Sequence, residues 1–207
     1  NHQRFDRYDY DANSQDSEKV SNVGYNVKAG GSIIVDESNK VYANAGVYSR
    51  QPFHDAIFNT YDNRVSPFTQ NEDILGLELG YSYAKNNFSA NVNLYRTSWK
   101  NRVVSSSRVV DGVVENTLNF GAEQLHQGIE IDFRTKMLND KLTFKGFTSI
   151  GDWEYVGSTV RRVVEEDQVV LSESNNDVDG VKVGDAAQFT LGFGLDYEIT
   201  DNLSMDF

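Results

Sequence analysis

From Phe189 to Ile199 an apolar side chain falls on every second residue. Phe189, Leu191, Phe193, Leu195, Tyr197 and Ile199 alternate with Thr190, Gly192, Gly194, Asp196 and Glu198. Successive side chains of a strand point to opposite faces, so this run builds one apolar face and one small or polar face. On a helix the same charges would wrap all the way round. The pattern returns from Ile74 to Ala84, where Leu75, Leu77, Leu79, Tyr81 and Tyr83 oppose Gly76, Glu78, Gly80 and Ser82. It returns again from Leu125 to Met137, where Leu125, Ile129, Ile131, Phe133 and Met137 oppose His126, Glu130, Asp132, Arg134 and Lys136. Faces this long and this apolar must be covered, either by a second sheet or by lipid.

The alternation predicts strands at 24–35, 41–51, 74–84, 88–103, 125–138, 142–156 and 188–199, with partial strands at both ends. A globular strand usually has about 5–6 residues, whereas a tilted membrane-spanning strand needs about 9–11. Every predicted strand reaches the second length. The connections alternate in size. Asp36–Lys40, Lys85–Asn87, Asn139–Lys141 and Thr200–Asn202 are tight polar turns, and between them lie the long segments 11–23, 52–73, 104–124 and 157–187. In an up-and-down sheet this puts the short turns at one rim and the long loops at the other, as in outer-membrane barrels. The four long segments carry net charges of −2, −3, −2 and −4, together −11 of the chain's −12. Within the strands, Lys28, Arg50, Glu78, Glu130, Arg134, Lys145 and Asp196 keep to the polar face. The apolar face is uncharged until the outer ends, at Arg96 and Asp152. Lipid would enforce such a distribution. A soluble β-sandwich, as an adhesin or carbohydrate-binding module, would also alternate and is the other reading.

Composition narrows the functional classes. With 31 acidic and 19 basic side chains, the chain lacks the clustered positive charge that nucleic acid requires. It has no cysteine, which excludes disulfides, thiolate metal sites and a cysteine nucleophile. That is compatible with an oxidising periplasm or cell surface. No run of about 18 apolar residues exists to form a membrane helix. Asn1–Tyr10 does not read as a signal peptide, so the chain is expected to be a piece of something longer. Tyr (11), Phe (12) and Gly (16) are plentiful and Pro (2) is scarce, which suits long strands.

Three segments, in order, carry a family resemblance. Asn71–Val103 reads NEDILGLELGYSYAKNNFSANVNLYRTSWKNRV: an Asn and acid closing a loop, a strand with Glu-Leu-Gly, a tight turn, and a strand ending in Y-R-x-x-x-K-x-R. Val41–Phe58 supplies a strand with an S-R-x-P-F rim, and Asn119–Phe133 supplies N-x-G-x(5)-Q-G-I-E. Together they resemble the barrel portion of TonB-dependent outer-membrane receptors. FDRYDY (Phe5–Tyr10) and GDWEY (Gly151–Tyr155) are similar to receptors of Bacteroidetes-type bacteria. The resemblance implies an antiparallel, up-and-down transmembrane barrel of 22 strands around an N-terminal plug. Its periplasmic TonB box would draw energy from an inner-membrane partner. Residues 1–207 would then hold about seven full strands of that barrel, without the plug. Leu203–Phe207 is too short for a final strand, and Phe207 is not read as a barrel's terminal aromatic residue. The implied partners are outer-membrane lipid, the plug, TonB and an extracellular nutrient; whether a surface lipoprotein caps the barrel is left open.

Candidate chemistry is sparse. The sequence shows no catalytic set and implies no cofactor. His126 is expected on the lumen side as an ordinary hydrogen-bonded residue rather than a metal ligand. Glu130 and Asp132 share its face, with Arg134 and Lys136 beside them to neutralise them. Asn175, Asp177 and Asp179 with Gly180 imitate the start of a calcium loop. Its twelfth position is Ala186 where a bidentate Glu is required, so a plain acidic loop is preferred. Phe53, Phe58, Tyr61 and Phe68 offer aromatic faces in one loop, either for packing it or for stacking on a sugar, siderophore or peptide. Arg50 ends its strand pointing into the lumen.

Overall fold

Strands form where the period-two runs lie, and they reach slightly past them. The computed structural model describes residues 2–5, 8–9, 15–58, 63–165, 169–184 and 186–207. In chain order the strands begin with β1 (His2–Phe5), β2 (Tyr8–Asp9), β3 (Gln15–Asp16), β4 (Val20–Val23), β5 (Tyr25–Ile34) and β6 (Asn39–Arg50). After the short helix α1 (His54–Ile57) come β7 (Glu72–Lys85), β8 (Phe88–Lys100), β9 (Val104–Val110) and β10 (Val113–Phe120). The last six are β11 (Glu123–Met137), β12 (Leu142–Val156), β13 (Ser158–Glu165), β14 (Val170–Asp177), β15 (Phe189–Thr200) and β16 (Leu203–Asp206).

The main sheet has eight antiparallel strands in the order β16-β15-β12-β11-β8-β7-β6-β5, and it is not closed on itself. β8 pairs directly with β11, Leu94 opposite Ile129 and Asn93 opposite Glu130, so no Greek-key crossover intervenes. Tight turns fix the register. In the first, the Asp36 carboxylate accepts hydrogen bonds from the Ser38 N–H at 2.7 Å and from the Asn39 side-chain amide at 2.7 and 2.8 Å. These bonds, the one from Ser38 foremost, hold the Asp36 carboxyl below the usual carboxylate range. At the C-terminal end the two-residue turn at Asp201–Asn202 lays the short strand Leu203–Asp206 against β15, with Met205 opposite Tyr197.

The two faces of this sheet differ as the alternation demands. Register places Val47, Leu75, Ser98 and Leu125 on one face, and Ala43, Leu79, Leu94 and Ile129 deeper on the same face. Nothing covers it. Leu79 is 51 % exposed, Leu191 55 % and Phe193 63 %. No second sheet packs there, which removes the sandwich reading. On a water-soluble monomer so long an apolar band would be anomalous.

On the polar face, glycines make room for rings. Tyr42 of β6 lies across Gly80 of β7, and Phe147 of β12 lies across Gly192 of β15. Tyr95, Gly128 and Gly151 stand in register on β8, β11 and β12. A Cβ on Gly128 would lie 2.6 Å from the Tyr95 hydroxyl, and one on Gly151 would lie 2.8 Å from the Trp153 indole nitrogen. Two adjacent glycines thus open a groove in which Tyr95 and Trp153 meet, the indole N–H donating to the hydroxyl at 2.8 Å. Gly80→Ala should push the Tyr42 ring off the sheet at a cost of about 1 kcal/mol, the low end for overpacking because the ring is the free end of its side chain. A double-mutant cycle with Tyr42→Ala checks this: the penalty should vanish when the ring is gone.

The long segments 104–124 and 157–187, expected as open loops, build a second sheet in the order β14-β13-β10-β9. Asp111 and Gly112, with φ of 51° and 84°, form the two-residue turn between β9 and β10, whose twist matches that of the strands it joins. The order repeats that of β15-β12-β11-β8 below. β9 follows β8, β10 leads into β11, β13 follows β12, and β14 returns towards β15. Each of the four passages bends at a left-handed residue: Asn101 (φ 60°), Gly121 (100°), Gly157 (84°) and Gly180 (74°). Glycine and asparagine tolerate that conformation best, so the four positions form a crease between wall and cap.

The apolar core sits in the cap. Ala56, Ile57, Phe58, Leu118, Val163 and Val164 are buried, and Leu125 is the one wall residue among the buried apolar side chains described. Phe68 tilts against Phe120 at 4.2 Å, and the Arg162 guanidinium lies 5.6 and 5.4 Å from the two rings. Asn71 ties the returning loop to the wall, its amide donating to the Val23 carbonyl at 2.8 Å and the Ser49 hydroxyl at 2.7 Å.

Candidate functional site

Just below the crease, the polar face carries a row of rings and cations that crosses five neighbouring strands, from β6 to β12. It starts at Arg50, the last residue of β6. Its guanidinium lies 4.2 Å from the Phe53 ring centre and 6.0 Å from Trp99 on β8, within cation–π range. Arg50 also pairs with the buried Glu72 at 3.6 Å. Trp99 faces His126 of β11 at 6.4 Å, and His126 stacks on Trp153 of β12 at 5.0 Å and 11°. His126 therefore lies on the expected face but not as the hydrogen-bonded residue expected: it is a sandwiched ring whose buried Nε2 has no hydrogen-bond partner among the described residues. Beside it Arg102 donates to the Gln124 amide oxygen at 2.8 Å, and the Gln124 amide nitrogen donates to the Tyr155 hydroxyl at 3.0 Å.

Among the described residues, three recesses adjoin this row. One of about 840 Å³ lies on the polar face of β5 to β8, where Lys28, Asn44, Tyr48, Glu78 and Trp99 contribute side chains. A smaller one of about 240 Å³ opens at the crease around Arg102, Phe120 and Tyr155. The third, about 330 Å³, lies between α1 and the start of β9. Across the crease Lys182 bridges Asp152 and Glu154, the latter at 2.9 Å. Those hydrogen bonds, the one to Asp152 first, hold the Lys182 ammonium above its usual range.

The predicted site residues separate. Phe53 is open, 56 % exposed, and lies against Arg50. Phe58 is only 5 % exposed and packs on the His54 ring at 5.1 Å, so it presents no face to a ligand. Phe68 is taken up by Phe120 and Arg162. Tyr61 lies outside the described residues. Asn175 and Asp177 belong to the extended strand β14 rather than to a coiled loop. The Asp177 carboxylate accepts from the Asp179 N–H at 3.1 Å, and that of Asp179 accepts from the Gly157 N–H at 3.0 Å, which closes the crease turn. No three His, Cys, Asp or Glu side chains converge on a metal-sized space among the described residues.

The neutralising network expected around Glu130 also takes another form. Glu130, Arg134 and Lys136 make no ion pair among the described residues. Cross-strand partners serve instead: Asn91 donates to Asp132 at 2.9 Å, and Lys145 pairs with Asp196 at 2.6 Å. Sequence reading missed Trp99, Arg102, Gln124, Trp153 and Tyr155. Strand parity carried part of the signal, since Trp99, Gln124, Trp153 and Tyr155 all fall on the polar-face register.

A wall of long antiparallel strands, apolar on one side and polar on the other, with its long connections gathered at one rim, is the geometry of an outer-membrane barrel. A family model described as "TonB dependent receptor-like, beta-barrel" matches residues 3–205. Comparisons with curated proteins and with solved structures give no match. The chain belongs to the TonB-dependent receptor-like β-barrel family, a family of outer-membrane receptors and transporters rather than enzymes.

Proposed function

We propose that the protein is part of an energy-coupled importer that carries a scarce, bulky nutrient across the outer membrane. Siderophores, glycans, peptides and cofactors are the substrate classes of suitable size. The supporting observation is the division of labour within one chain. One face of the wall is apolar and exposed below the rim, the other is polar, and a folded cap continues past the crease; on this reading the first face meets lipid and the second lines a passage. Further strands close the barrel, a plug outside residues 1–207 blocks it, and TonB supplies the work that moves the plug. The cap and rim capture the ligand, with Arg50 and Phe53 as first contacts. Loops held on a rigid scaffold are where recognition residues concentrate.

The test is uptake by living cells of labelled ferric siderophores, oligosaccharides and peptides, with and without an uncoupler. At least one should enter in an uncoupler-sensitive manner. Replacing Ser158–Asp177 with a two-residue Asn-Gly turn, or deleting 52–71, should abolish that uptake. The barrel should still migrate as a heat-resistant folded band in detergent. Uptake that ignores the uncoupler, or that survives both deletions, would refute the reading.

A further inference from the structure

Arg102 differs from most cations near the rim. Arg50, Lys100, Arg108, Arg162 and Lys182 each have a carboxylate within 4 Å. Arg102, half-buried at the crease, has none among the described residues. Its one short bond is to a neutral acceptor, the Gln124 side chain, which is itself 4 % exposed. The buried Glu72 lies near enough to act on it electrostatically but pairs with Arg50, so Arg102 keeps hydrogen-bond donors for an anion.

The surroundings say which kind. Gln124 spends its amide N–H on the Tyr155 oxygen, so the Tyr155 hydroxyl proton remains to be donated. A guanidinium fork and a phenol both line the 240 Å³ recess, a pair of donors that suits a planar carboxylate. The rest of the lining is uncharged: Val104, Phe120, Ala122, Val178 and Val181, which suit an apolar group, with Asn119 and Thr159. The volume is smaller than the roughly 300–1,000 Å³ of a pocket for a whole drug-sized ligand. It accommodates one end of a larger molecule.

We propose that the crease recess binds a carboxylate borne on an apolar group, as at the C terminus of a peptide ending in an aliphatic residue. This names the ligand class at the mouth of the importer and rests on that reading. The geometry divides the work simply. Arg102 and Tyr155 hold the carboxylate, Gln124 positions both, and the valines and Phe120 receive the side chain.

The test uses the full-length receptor in detergent, titrated by saturation-transfer NMR with N-acetyl-L-leucine, N-acetyl-L-leucinamide and hexanoate. The acid should bind at least about ten-fold more tightly than the amide, the loss expected when a charge-assisted pair is removed. Arg102→Gln should weaken the acid by about the same factor, and Tyr155→Phe by roughly three-fold. Arg108→Gln, on a cation that already has its carboxylate, should change nothing. Hexanoate equal to N-acetyl-L-leucine would assign the ligand to simple acyl carboxylates; weaker binding would assign it to peptide ends. Acid and amide binding alike, binding of neither, or full affinity in a folded Arg102→Gln protein would overturn the proposal. The comparison of acid with amide on the unmutated receptor decides the matter even if a variant misfolds. Uptake insensitive to the uncoupler would sink the import reading and leave these titrations untouched.

Discussion

Replacing Leu79 with arginine should cost the intact receptor about 2–4 kcal/mol in a bilayer, the penalty for a charge facing lipid near mid-depth. The same substitution on the face of a water-surrounded sheet would fall within about 0.5 kcal/mol, because Leu79 is 51 % exposed and nothing lies over it. Leu79 sits between Ala43 and Leu94 in the middle of its strand, far from both rims. Leu75, nearer the rim between Val47 and Ser98, should tolerate arginine at about 0–1 kcal/mol. Thr190→Arg, on the polar face of β15, should be close to neutral. Denaturant unfolding of the three variants reconstituted in lipid vesicles measures the series. Equal costs at Leu79 and Thr190 would show that the apolar face does not meet lipid.

Leu118→Ala is the complementary experiment, on the cap. Leu118 is 1 % exposed, and its loss should cost the cap about 2–5 kcal/mol through lost burial and the cavity left behind. The damage should stay local. Leu118 pairs within the cap sheet, and the crease has no continuous strand through which strain can pass. Amide hydrogen exchange should speed up in β10 and β13 and stay slow in β7 and β8. Uniform acceleration in both sheets would mean that wall and cap unfold as one unit.

The wall was legible in the sequence because each of its faces has a single solvent. Leu75 to Tyr83 and Leu125 to Met137 alternate cleanly, and their strands lie within about three residues of the predicted bounds. The cap was not legible, for the converse reason. Val163 and Val164 are adjacent in sequence and both buried, since the pairing of β13 with β14 slips between them and both faces of that strand are partly covered. Period two fades in such strands. One cue was present and passed over: Val109-Val110-Asp111-Gly112-Val113-Val114 is a hairpin signal in its own right. The aromatic row shows a different limit. Parity placed Trp99, His126 and Trp153 on one face, but their meeting depends on register across β8, β11 and β12, which no single strand contains. Phe53 and Phe58 looked alike in sequence, and one turn of helix buries the second while leaving the first open.

The line through Asn101, Gly121, Gly157 and Gly180 also divides two regimes of evolutionary drift. Below it, inserting one residue in a strand would turn every following side chain to the opposite side and put Glu78 or Asp196 into the hydrocarbon. Length there is locked to even steps and to the thickness of the membrane. Above it, the direction of the chain is reset at each passage, so a hairpin can lengthen, shorten or be exchanged without disturbing what the bilayer sees. One wall can therefore be inherited unchanged while its canopy is rewritten for new cargo.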